Sequence, residues 1–374
     1  MFKKTIGLII FTSILGCGIV FAQAPILIPD RDVFEKAKVI TILDTGTTTI
    51  PGTDTLSKTQ TITIEVLDGI DVGKIATFKN DYVQLEVGDI FYVRHQTNQL
   101  DGTEYWSVSE PYRLNIILYL VVAFIVLIFL FGGIQGVRGL ASLIGSFFLI
   151  FYLLIPNIYA GHNAALISIG VASLIIVVGS YITHGFNRTT TSAVLGMIVT
   201  VIITGLAAYY AVYAAQLSGY TTDESTFLNL NTRGAIDMVG LLFGGIMIGL
   251  LGVLYDIAIG QAVAIEELYR AGQHLTRKEV YKRSIRIGRE HIGALVNTLA
   301  IAYVGASLPL LLLMRNSTSG IAFIINSEVL STEIIRILIG SIGLILAVPI
   351  TSLITSYMLQ GRVSVVSQNH PHNH

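Results

Sequence analysis

From about residue 115 to residue 359 the chain consists largely of apolar runs about twenty residues long. A helix needs about 20 such residues to cross the hydrocarbon of a bilayer. Inside lipid only helices and closed barrels satisfy every backbone polar group. Spans are therefore predicted near 115–134, 137–156, 163–183, 191–215, 235–257, 293–314 and 333–359. The apolar stretch within 319–330 is too short to cross and reads as a re-entrant or interfacial piece. The predicted fold class is a membrane all-α bundle of about seven transmembrane helices (113–360), preceded by a small exported β-barrel-like domain. Only 13% of the 374 residues are charged, about half of the roughly 25% usual for soluble domains.

The N-terminus reads as a targeting segment over 1–24. Lys3 and Lys4 form a basic start, an apolar stretch runs from Ile6 to Phe21, and Ala22-Gln23-Ala24 is a small-x-small cleavage site before Pro25. An uncleaved first helix, or a lipid attachment at Cys17, are the alternatives. All three place the residues after Pro25 outside the cytoplasm. Cys17 is the only cysteine, so cleavage leaves no disulfide and no thiol chemistry.

Residues 25–112 are ordinary in polarity, and much of this stretch alternates at period two. Ile62, Ile64 and Val66 alternate with polar neighbours, as do Val83, Leu85 and Val87. Asp68-Gly69, Gly88-Asp89 and Asp101-Gly102 punctuate the strands. A small barrel of OB or SH3 size is expected. His95 reads as a lone surface histidine and Trp106 as a core residue.

Starting outside, the five crossings that precede it place 258–292 in the cytoplasm. That segment carries Arg270, Arg277, Lys278, Lys282, Arg283, Arg286 and Arg289, and Arg138, Arg188 and Arg362 fall on the same side. The excess of inner basic residues agrees with the export signal and predicts a multi-pass protein of the cytoplasmic (inner) membrane. Lys278, Lys282, Arg286 and Arg289 recur at helical spacing, a face suited to anionic lipid headgroups. Glu279 can pair with Arg283, and Glu290 with Arg286. A net charge of −1 and the absence of a P-loop argue against nucleic acid and ATP as partners. The tail 361–374 reads as disordered. Its histidines leave metal binding as an alternative, but no metal site or cofactor is expected.

Small residues (Gly245-x-x-x-Gly249; Gly340-Ser341-Ile342-Gly343) predict close helix packing. Pro309 and Pro349 predict kinks or helix ends. Ionisable groups at membrane depth are costly and point to function by default. Asp256 comes after Leu250-Leu251-Gly252-Val253-Leu254-Tyr255 and lies near the inner boundary. Two readings stand open. In one, Asp256 is a coupling carboxylate, with Gln261, Asn297 and Thr298 as polar lining between spans five, six and seven. In the other, it is an interfacial acid paired with Arg286 or Arg289. Glu266 and Arg289 are supporting polar residues, and Glu333 can pair with Arg336 at i, i+3.

The run Gly252-Val253-Leu254-Tyr255-Asp256-Ile257-Ala258-Ile259-Gly260-Gln261-Ala262-Val263-Ala264-Ile265-Glu266-Glu267-Leu268 resembles the signature of the YibE/F-like membrane proteins. So do Ile287-Gly288-Arg289-Glu290-His291-Ile292, Val296-Asn297-Thr298-Leu299 and Pro349-Ile350-Thr351. Leu67-Asp68-Gly69 and Val87-Gly88-Asp89 resemble the exported part of that family. Tyr255 stands where the family pattern leads one to expect a second acid, which argues against a paired-carboxylate mechanism. The resemblance implies a bacterial multi-span protein and no settled activity. In architecture, spans three to seven are also similar to one half of the proton-driven permeases that include SecD and SecF.

These readings favour a secondary transporter or exporter-like permease acting on an unknown small solute. The alternative is a membrane scaffold that binds an envelope protein through the β domain. No Ser-His or His-Glu-x-x-His arrangement lies at membrane depth, so an enzyme is not expected.

Overall fold

The computed structural model describes residues 31–49, 52–98, 101–272, 274–315 and 318–361. The targeting segment, Cys17 and the tail from 362 onward lie outside the described residues. The chain divides into two compact units, 1–124 and 125–374.

In the first unit five antiparallel strands form one sheet: β1 (Arg31–Thr49), β2 (Leu56–Val66), β3 (Ile75–Asn80), β4 (Ile90–Thr97) and β5 (Glu104–Pro111), in the order β3-β2-β1-β4-β5. β1 pairs with β4 through its first half and with β2 through its second, and irregularities after Val39 and Ile42 bend it between the two. The result is a half-barrel rather than the closed barrel expected. Its core is Ala37, Val39, Ile62, Ile64, Val66, Leu85, Phe91 and Val93.

Two expectations are corrected here. The Val83–Val87 alternation is not a strand. Leu85 enters the core from a loop because the buried Gln60 side chain donates to Leu85 O (2.8 Å) and accepts from Leu85 N (2.9 Å), taking the place of a neighbouring strand. Nor is His95 a surface residue: it is 2% exposed, bonds Asp71 through Nδ1 (2.7 Å) and stacks on Trp106 at 3.9 Å. Gly69 adopts φ +87° beside buried Glu35, which accepts from Ile70 N and Asp71 N. A side chain at residue 69 would overlap Glu35, so the turn needs glycine.

The second unit is helical. Its elements are α1 (Leu114–Leu149, beginning in the first unit), a π turn (Ile150–Leu154), α2 (Ile155–Tyr159), α3 (Ala164–His184), α4 (Arg188–Ala214), α5 (Asp223–Asn231), α6 (Met238–Ala271), α7 (Arg277–Ala306), α8 (Leu308–Arg315), α9 (Ile321–Asn326) and α10 (Glu328–Leu359). Side chains that start the helices are the usual capping types: Asn163, Asn187, Asp237 and Thr276 each accept a backbone N–H of the first turn. Glu279 completes a reciprocal cap with Thr276, and Arg283 acts on it through space, with no ion pair between the two among the described residues.

Five helical stretches are long and apolar enough to cross a membrane: Leu114–Tyr159, Ala164–His184, Arg188–Ala214, Met238–Ala271 and Glu328–Leu359. A sixth is α7 with α8, bent by 65°, if that pair counts as one span. The bend falls at Ser307, two residues before Pro309, which lacks the donor that would carry the first helix on through this point. The first stretch is interrupted at Gly133 (φ 53°, ψ −145°). A Cβ on Gly136 would lie 2.9 Å from Ile128 O, whereas eight residues of straight helix span about 12 Å. The chain therefore folds sharply at Gly133.

α3, α4, α6 and α10 share the core around Met197, Ile246, Met247, Leu250 and Leu254. At the α4–α10 crossing, a Cβ on Gly196 would meet Thr351 and one on Gly343 would meet Thr204. The small residues of α10 are thus a packing face. Those of α6 are divided: Gly244 packs on Ser168 and Gly249 on Tyr303, while Gly245 and Gly252 face open space.

Candidate functional site

Asp256 lies 18 residues into α6, about 27 Å along its axis. His184 and Asn187, at the adjoining ends of α3 and α4, share a small cavity with Ile259, Ala262, Val263 and Glu266 of α6. Asp256 is therefore about one turn further into the bundle than the level at which α3 hands over to α4.

The Asp256 side chain lines a cavity of about 460 Å³. One wall is the second half of α1 and the π turn, with Ser142, Leu143, Ser146, Phe147 and Ile150. A second is α3, with Ile175, Ile176, Gly179 and Thr183. The third is α6, with Ile248, Leu251, Gly252 and Tyr255. Gly179 permits the first two walls to close, since a Cβ there would sit 2.7 Å from Ser142 Oγ. Gly252, one turn before Asp256, has nothing within 4 Å of its Cβ direction and leaves the floor open. Ser146 Oγ is committed to Ser142 O (2.9 Å). Among the described residues Asp256 makes no hydrogen bond or ion pair, so the interfacial pairing with Arg286 or Arg289 is not formed.

Polar groups continue from this cavity along α6. The Tyr255 hydroxyl reaches Gly179 O at 3.4 Å, and its ring lies 6.1 Å from that of His184. His184 Nδ1 is 3.1 Å from Gln135 Nε2, just past the Gly133 turn. Beyond His184, Thr189 Oγ1 donates to Glu266 (2.6 Å), which also holds Arg270 (2.6 Å).

The other residues singled out from sequence fall elsewhere. Gln261 is 2% exposed and donates to Ser284 O (2.7 Å) and Ser352 Oγ (2.8 Å), tying α6 to α7 and α10. Asn297 and Thr298 are exposed, and Thr298 bonds its own helix at Ala294 O. α7 meets its neighbours through Ser284, Gly288 and Leu299, and two residues of helix turn Asn297 about 200° away from Leu299. The cavity thus forms among the segments predicted as spans two, three and five, not five, six and seven. Glu333 and Arg336 do pair, at 2.8 Å. Arg289 is exposed with no ion pair among the described residues.

Ser142, Ser146 and Thr183 line the cavity and His184 adjoins it beside Tyr255, and sequence reading singled out none of the four. A serine pair at i, i+4 and a histidine closing an apolar span were the available signals.

The family model of the YibE/F-like proteins matches residues 120–361, which include the cavity, the Gly133 turn and all of α3 to α10. No curated protein and no solved structure matches the chain. With more than half of its length matched, the chain belongs to the YibE/F-like protein family.

Proposed function

We propose that this protein is a secondary permease of the cytoplasmic membrane, with Asp256 as the carboxylate that couples solute movement to an ion or proton. The observation that carries this reading is an acid with no hydrogen-bond or ion-pair partner among the described residues, lining a cavity between apolar helices. A carboxylate kept at membrane depth without a fixed partner is costly, and a moving cation offsets that cost. The polar residues from Tyr255 through His184 to Glu266 supply a route from the cavity toward the inner side.

The topology that goes with it has seven crossings and an extracytoplasmic half-barrel. Dividing Leu114–Tyr159 at Gly133 supports the count, because 46 residues would extend about 69 Å as one helix, more than twice the hydrocarbon thickness of about 30 Å. The Gln135–His184 contact supports an inner location for the Gly133 turn. Lys278, Lys282, Arg286 and Arg289 are exposed and in this topology face anionic headgroups.

A second reading, a scaffold that grips an envelope protein, draws on the exposed apolar side chains Ile70, Val72 and Ile75 leading into β3. The test is proton flux in proteoliposomes under an imposed pH gradient, across a panel of solutes. Solute-dependent flux present in the wild type and abolished in Asp256→Asn supports the permease. Flux equal in both proteins refutes the role of Asp256. A phenotype lost only when residues 31–111 are deleted favours the scaffold.

A further inference from the structure

Resting on the permease reading, we infer that the Asp256 cavity takes a monovalent organic cation with a bulky apolar body. The argument is one of charge and surface. A volume of about 460 Å³ falls in the range of about 300–1,000 Å³ that small organic ligands occupy. Most of the wall is hydrocarbon, including Leu143, Phe147, Ile150, Ile175 and Leu251, and no lysine, arginine or histidine lines it. Asp256 is the single formal charge. An anionic solute would meet that charge unscreened, and a neutral one would bring no countercharge to a carboxylate that is exposed to the cavity and has no partner among the described residues. A bare divalent cation asks for six or more oxygens, and this wall offers one carboxylate and a few hydroxyls, one already committed within α1. A lipophilic cation satisfies both demands, its charge against Asp256 and its body against the aliphatic wall. Gly252 is where that body gains room, because nothing stands within 4 Å of its Cβ direction.

The experiment is equilibrium binding of radiolabelled tetraphenylphosphonium to the purified full-length protein in detergent, beside tetraphenylborate, which has the same shape and the opposite charge. The expected result is saturable tetraphenylphosphonium binding at least tenfold tighter than that of tetraphenylborate. Binding should weaken at least tenfold in Asp256→Asn, and equally in Gly252→Leu, which keeps the charge and fills the floor. The comparison of the two ions needs no variant, so it stands even where a substitution impairs folding. Non-saturable binding, equal binding of the two ions, or wild-type affinity in both variants overturns the inference. Asp256-dependent proton flux with other solutes but no tetraphenylphosphonium binding removes the ligand class and leaves the permease. Asp256-dependent binding with no coupled flux removes the permease and leaves the site.

Discussion

Gln261 and Asp256 lie five residues apart on one helix, and their surroundings make opposite demands on a substitution. Gln261 is buried and its amide donates twice, across to α7 and to α10. Gln261→Leu keeps approximate volume and removes both donors. Side-chain hydrogen bonds measured within membrane proteins average about 0.6 kcal/mol, so two give about 1.2 kcal/mol as a lower figure. The soluble-protein range of about 0.5–1.5 kcal/mol each raises the upper figure to about 3 kcal/mol. At roughly 2–4 °C per kcal/mol for a unit of this size, the thermal midpoint should fall by about 2–12 °C. Asp256→Asn removes no hydrogen bond among the described residues and changes a side chain that is exposed to the cavity rather than packed, so its midpoint should be unchanged. The assay is thermal unfolding of both variants in one detergent, with proton flux measured on the same preparations. The expected pattern is a destabilised Gln261→Leu that retains flux in proportion to folded protein, and a stable Asp256→Asn that has none. Equal destabilisation by both, or loss of flux per folded molecule in Gln261→Leu, would refute this division of labour.

The same geometry sets further outcomes. Gly196→Ala should lower the thermal midpoint, because its Cβ would sit 3.0 Å from the Thr351 Cα, a backbone atom that cannot swing aside; overpacking of about 1–3 kcal/mol exceeds the gain in helix propensity of about 1 kcal/mol. Gly260→Ala, with nothing within 4 Å, should be neutral or stabilising in the same assay. Gly133→Ala should cost about 1–3 kcal/mol, since its backbone occupies a region open essentially to glycine. With Cys17 replaced by serine, a cysteine introduced at Gln135 should be labelled only from the cytoplasmic side. In the half-barrel, hydrogen bonds from Arg94 and Lys74 hold the Asp32 and Glu104 carboxyls below their usual values. A depressed folded-state value stabilises above the unfolded carboxyl range of about 4 and is lost as pH falls through the folded value. Fluorescence of Trp106, the single tryptophan, should therefore report a midpoint that falls from about pH 4 downward, with a smaller fall in Arg94→Ala.

Depth along a helix was readable from the residues, whereas direction around it was only partly so. Apolar runs locate the spans because lipid demands length. A charge such as Asp256 stands out at depth whatever way its helix faces. Amides do not, because an amide serves equally well to tie helices together or to line a cavity. The phase of α6 nevertheless contained part of the answer: five residues at about 100° each place Gln261 some 140° from Asp256, so the two could not share one lining. Asn297 needed the phase of α7, which is set by Ser284, Gly288 and Leu299 against α6 and α10, a contact between distant segments that no local pattern records. The half-barrel divides in the same way. Phe91, Val93 and His95 alternate on one face, so period two placed His95 inward. Val83, Leu85 and Val87 imitate a strand only because Gln60, more than twenty residues earlier, bonds Leu85 from its side chain. Where a local period alone decides orientation, a sequence shows which residues meet. Where a distant partner decides it, as for Asn297 and Leu85, the partner has to be seen, and the wall facing Asp256 belongs to this second kind because it is brought there by the turn at Gly133.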